Sequence, residues 1–283
     1  MRVSSLKSFP KVIFVIALGL VLISCSSGPP PIEKGTPPFY WQAANETYKA
    51  GDFIKTSEHL SHLVRSQNEF TARAQPWMLI LSSGVAKGFM DLADSFENGA
   101  RANKTNPAAF RKLMNDMRTL ANQTVLQFAE VFENFQKTNT AEKLPLAFPF
   151  PSGSAAPVPQ LAKAGAGMML QETEIADARR RAIARAVILR TCEAAGAPED
   201  VAKTQELFKQ GTAEVARPVF LLAMANVLYD QSQLYIPRKM DQPDRMKILL
   251  ERAAEALKPL PDSKEKKELD KKIQAALKGI KSR

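Results

Sequence analysis

Apolar positions recur at intervals of three and four along most of this chain, alanine is abundant, and the alternation of a half-buried strand is scarce. The pattern predicts helices throughout. The first pair runs from Phe39 to about Arg65 and is split at Gly51-Asp52, where glycine ends one helix as a left-handed cap and aspartate N-caps the next. A third helix is expected from Gln75-Pro76, with proline at its first position, through Trp77, Leu81, Val85, Phe89 and Phe96 toward Gly99. Gly84 and Gly88 lie one turn apart on one face of it, which lets another backbone approach closely. Asn106-Pro107 repeats the cap-then-proline start for a fourth helix, whose apolar stripe ends near Phe135.

Residues 138–160 break the pattern with Pro145, Pro149, Pro151, Pro157 and Pro159, a density that no helix survives. Within them Leu144-Pro145-Leu146-Ala147-Phe148-Pro149-Phe150-Pro151 is apolar and rigid. Such a loop either folds over the helices or is offered to a partner, and covering the core is the favoured reading because long exposed apolar loops are costly. Further helices are expected over 162–195, 198–210, 214–235, 244–257 and 263–280. Ala164-Gly165-Ala166-Gly167 suits tight helix packing, and Arg179-Arg180-Arg181 a solvated stripe with Asp177 one turn ahead of Arg181. The sum is an all-α fold, an irregular array of antiparallel helical hairpins forming a single domain over residues 39–283.

The first hairpin resembles one tetratricopeptide repeat. In that family a bulky aromatic opens the first helix, a small residue follows four positions on, and a Gly-Asp-aromatic turn leads into the second. Tyr40, Ala44 and Gly51-Asp52-Phe53 match, Leu60 and Leu63 take the later apolar positions, and Thr56 stands where alanine is usual. Leu249 to Leu257 again resembles the second helix of such a repeat. The third and fourth helices are longer than repeat helices, which points to a modified array rather than a regular one.

The N-terminus carries an address. Arg2, Lys7 and Lys11 precede the apolar run Val12 to Ile23, too short to span a bilayer comfortably, so residues 1–24 read as a secretory signal peptide. Its end, Leu22-Ile23-Ser24-Cys25, resembles the lipobox of bacterial lipoproteins. That resemblance implies that Cys25 becomes the first mature residue and carries acyl chains on its sulfur and amine, enough for stable anchoring. Ser26, in place of an aspartate, implies the outer membrane, facing the periplasm. Residues 25–38, with Pro29-Pro30-Pro31 and Pro37-Pro38, read as a tether.

Removing residues 1–24 leaves 259 and lowers the formal charge from +10 to +7. Lys264 to Arg283 holds eight Lys or Arg against three acidic residues, a solvated helix face or a surface for anionic headgroups or envelope polymers. Export and the lack of interleaved aromatics speak against nucleic acid. With Cys25 lipidated, Cys192 has no disulfide partner and reads as a small buried hydrophobe. His59 and His62, at i and i+3, could ligate a metal only with a third ligand from elsewhere, and packing is the plainer reading. No phosphate loop, nucleophile elbow or His-Glu-x-x-His is present, so no catalytic residue, cofactor or metal is assigned, and an enzyme is the less economical reading.

Two functions compete. One is a lipid-anchored periplasmic scaffold for protein partners, with Tyr40, Trp41, Tyr48, Phe148 and Phe150 as candidate contacts and core packing as the alternative for all five. The other is an accessory to solute transport: the signal and irregular helices are similar to the T-component lipoproteins of some TRAP transporters, which implies a solute-binding protein as partner. A basic tail bound to peptidoglycan is a third expectation, and a small ligand among the helices stays open.

Overall fold

The computed structural model describes residues 32–281; the signal segment and residues 25–31 of the tether, Cys25 among them, lie outside the described residues. From Pro37 onward the chain forms one compact unit. It is all-α, 71% helical with ten α-helices and a two-stranded ribbon among the described residues. In order these are α1 (Pro37–Lys49), α2 (Phe53–Val64), α3 (Thr71–Ala102), α4 (Pro107–Thr138), β1 (Lys143–Leu146), α5 (Pro159–Gly165), α6 (Glu172–Ala194), α7 (Val201–Leu207), β2 (Ala213–Ala216), α8 (Arg217–Ser232), α9 (Pro243–Leu257) and α10 (Lys264–Lys281). A short 3-10 turn, Gln233–Tyr235, follows α8.

The first hairpin forms where its turn residues dictate. Gly51 takes φ +73°, and the amides of Gly51 and Asp52 bond back to the carbonyls of Tyr48 and Thr47, a Schellman stop. The Asp52 carboxylate accepts from the Lys55 amide and starts α2. Asn106 caps α4 in the same way through the Ala109 amide, with Pro107 behind it.

Helix α3 is the centre of the molecule. Every residue from Ala74 to Ala86 is buried, so this stretch is covered on all sides rather than along one stripe. Its partners are α2, α4, α5, α6 and the ribbon. Against α6 the two backbones come as near as residues allow: a Cβ on Gly84 would stand 2.7 Å from the Val187 Cα, and one on Gly88 2.8 Å from the Ile183 Cα. The pairs 84 with 187 and 88 with 183 make the contact antiparallel. Gly99 serves α5 likewise, its missing Cβ leaving room for the Ala164 carbonyl oxygen.

Three expectations are corrected. Helix α3 starts at Thr71 rather than Gln75, because Asn68 builds the start: its side chain accepts from the Phe70 amide and its carbonyl from the Thr71 amide. Pro76 is thus inside the helix, and the carbonyl that it leaves without a donor belongs to exposed Ala72. The expected helix over 162–195 is two helices, α5 and α6. Gly167, at φ +84°, closes α5 with the amides of Gly167 and Met168 on the carbonyls of Ala164 and Lys163, so it stops a helix while also packing closely on Ala102 and Asn103. The Glu174 carboxylate then accepts from the Gln171 amide and opens α6.

The third correction is the ribbon. Residues 213–216, of which 214–216 are expected from the sequence to open a helix, pair antiparallel with 143–146, Leu144 opposite Val215 and Leu146 opposite Ala213. Leu144, Leu146 and Val215 point inward and are buried. The proline-rich segment therefore covers the core, and Phe148 after it is wholly enclosed. At the far end α10 packs on α9, with Leu269 and Ile273 buried beneath its lysines.

Candidate functional site

Sequence-distant segments meet around the turn between α1 and α2. Residues 50–54, the loop 152–159 and the face 176–184 of α6 enclose a groove with two adjoining lobes of about 520 and 430 Å³. Ala50, Gly51, Phe53 and Arg180 belong to both lobes. One wall is proline-stiffened, through Pro157 and Pro159. The loop is held on α6 by Arg185, whose Nε donates to the Ala155 carbonyl at 3.1 Å.

The floor is basic. Arg180 and Arg181 share Asp177, Nη2 to Oδ1 and Nε to Oδ2, both at 2.7 Å. These two bonds, Arg180's first, hold the Asp177 carboxyl below its ordinary range. Gln160 of α5 donates to the same carboxylate at 2.8 Å, so one side chain ties two helices and sets both arginines. Arg179 lies over the Phe89 ring at 4.9 Å. The arginine side chains remain open to solvent, Arg180 by 74%. The groove thus offers guanidinium groups, serine hydroxyls and an apolar wall, and its titratable lining is Asp52 and three arginines.

Of the five aromatic candidates, the structure gathers four into one cluster. Phe148 lies 4.6 Å from Tyr48, 5.2 Å from Trp41 and 5.4 Å from Trp77, centroid to centroid, while Phe150 reaches the cluster through Phe208. Tyr48 and Phe148 are 3% and 0% exposed and offer no surface to a partner; they fasten the first hairpin to the proline-rich segment. The Tyr48 hydroxyl donates to the Pro149 carbonyl at 2.7 Å, and burial pushes its phenol well above the ordinary range. Tyr40, Trp41 and Phe150 are half-buried.

Tyr40 stacks on the His62 ring at 4.1 Å, and no group of three or more His, Cys, Asp or Glu among the described residues is placed to hold a metal. Cys192 is fully enclosed, and burial raises its thiol. No described helix is long and apolar enough to cross a membrane.

The groove was not legible beforehand because its segments lie far apart in sequence. The one local sign is the arginine triplet with Asp177, which reads alone as a solvated stripe. No protein-family model, curated protein or solved structure matches this chain.

Proposed function

We propose that this protein is a lipid-anchored scaffold of a bacterial cell envelope, held at the outer membrane by acyl chains on Cys25 and facing the periplasm. In this reading it works by binding, and the groove between the α1–α2 turn, the proline-rich loop and α6 receives an extended acidic segment of a protein partner. The observation that carries the reading is the groove's lining: three consecutive arginines of one helix beside a stiff apolar wall. Arginine forks match carboxylates in two-point geometry, and a wall already ordered loses little freedom on binding.

The test is fluorescence anisotropy of a labelled hexaglutamate peptide with the full chain carrying Cys25→Ser. Binding is expected to be saturable, to weaken as salt is raised, and to fall at least about tenfold in Arg180→Gln/Arg181→Gln, about 1.4 kcal/mol or more. Equal affinity in the folded double variant overturns the reading.

A further inference from the structure

A second cavity, of about 500 Å³, opens at the C-terminal end of α3, where its last turns meet the start of α4 and the turn after α8. Five cations line it, Arg101, Lys104, Arg111, Arg118 and Arg238, against one carboxylate, Glu97. Four positive charges are therefore uncompensated at close quarters. Such crowding is costly unless an anion enters.

Arg118 is the informative member. It is 7% exposed, and a buried guanidinium needs acceptors for its donors. Its Nη2 donates to Glu97 Oε2 at 2.8 Å, whereas its Nε–H is enclosed and has no acceptor among the described residues. Glu97 is shared, since Arg101 takes its other oxygen. Lys104 folds back onto the Arg101 carbonyl at 2.8 Å.

The remaining two arginines are unengaged. Arg111 and Arg238 have no hydrogen-bond or ion-pair partner among the described residues. Arg111 stands two turns before Arg118 on the same face of α4. Arg238 is set by its neighbour: the Lys239 ammonium donates to both oxygens of Asp94, at 2.7 and 3.0 Å, and pins that turn to α3. The cavity is thus a fixed frame with free guanidinium donors converging from two elements, and its size is that of an ordinary small-ligand pocket.

We propose that this cavity binds a phosphate group carrying about two or more negative charges, a terminal phosphomonoester or a pyrophosphate, with Arg118 as the buried anchor and Arg111 and Arg238 closing on it. Several guanidinium forks around one centre suit a tetrahedral anion with many acceptor oxygens better than a single carboxylate. The arginines keep their charge at every working pH, so affinity for a phosphomonoester rises as its last proton leaves near pH 6. The group could come from a free phosphate compound or from a lipid headgroup; the chemistry at the arginines is the same.

The experiment is isothermal titration of the full chain in nonionic detergent with two probes, inorganic pyrophosphate and monomeric dihexanoyl phosphatidate. Arg111→Gln/Arg238→Gln is the test variant, because both side chains are exposed and unpaired, so the fold is kept. Lys271→Gln/Lys272→Gln removes equal charge from α10. Saturable binding of pyrophosphate that drops at least tenfold in the arginine variant and not in the lysine variant supports a free phosphate ligand. The same pattern with phosphatidate alone supports a headgroup. Absence of saturable binding by either probe, or equal loss in both variants, overturns the proposal.

Discussion

At the scale of single residues, glycine acts here in two opposite ways. Gly84 is a packing residue: an added methyl meets the Val187 Cα at 2.7 Å and nitrogen at 2.9 Å, backbone atoms that cannot turn aside. Gly→Ala in a helix ordinarily gains about 1 kcal/mol, but Gly84→Ala is predicted to lose about 1–3 kcal/mol through overpacking. Gly279→Ala, where a methyl meets nothing within 4 Å, is predicted to gain a fraction of a kcal/mol on the propensity scale, about 0.5. Urea unfolding of the two variants reads the contrast, and equal signs would refute the packing role. Tyr48 carries a second prediction. Tyr48→Phe keeps the aromatic cluster but leaves the Pro149 carbonyl without its donor, and should cost about 1 kcal/mol in the same measurement.

At the scale of elements, single carboxylates tie neighbouring helices together. Glu133 of α4 accepts from Arg252 of α9 at 2.6 Å, and Asp177 joins α5 to α6. Both carboxyls lie below their ordinary values, Glu133 through Lys137's hydrogen bond first and then Arg252's charge, Asp177 through its arginines. Glu174 is lowered too, by the Gln171 amide it caps. A carboxyl with a lower pKa folded than unfolded adds stability above its unfolded value, and that stability disappears as pH falls through the unfolded value toward the folded one. The melting temperature is therefore predicted to be nearly level from pH 7 to about 5 and to fall below about pH 4. Asp177→Asn/Glu133→Gln should flatten that fall in circular-dichroism melts; an unchanged slope would contradict it.

The elements also show what a linear reading can and cannot reach. Gly51-Asp52 and Asn106-Pro107 were legible because cap chemistry is local, and Gly84 and Gly88 because one turn places them on one face. The break between α5 and α6 was not, since Gly167 in an alanine-rich run has the same appearance whether it packs or caps. Nor was the ribbon: four residues around Pro145 resemble a strand only once Val215, some seventy positions on, lies opposite Leu144. The groove and the phosphate cavity share this difficulty, each being assembled from segments brought together by α3.

For the whole molecule, the helices around α3 form one compact unit with two basic recesses, one at the α1–α2 turn beside α6 and one where the C-terminal end of α3 meets the start of α4. A single compact unit with preformed recesses suits a protein that presents surfaces, which is the reading proposed. Lipid on Cys25 would confine it near a membrane, and in that reading Cys25→Ala shifts the protein from the membrane fraction to the soluble one.

The most direct measurement is photocrosslinking in the producing cell, with a photoreactive phenylalanine analogue at Ser154 in the groove wall and, as control, at exposed Gln274 of α10. The scaffold account predicts a discrete protein adduct from position 154 that is missing from position 274 and is lost in Arg180→Gln/Arg181→Gln. No adduct at 154, or the same adducts from both positions, would contradict it.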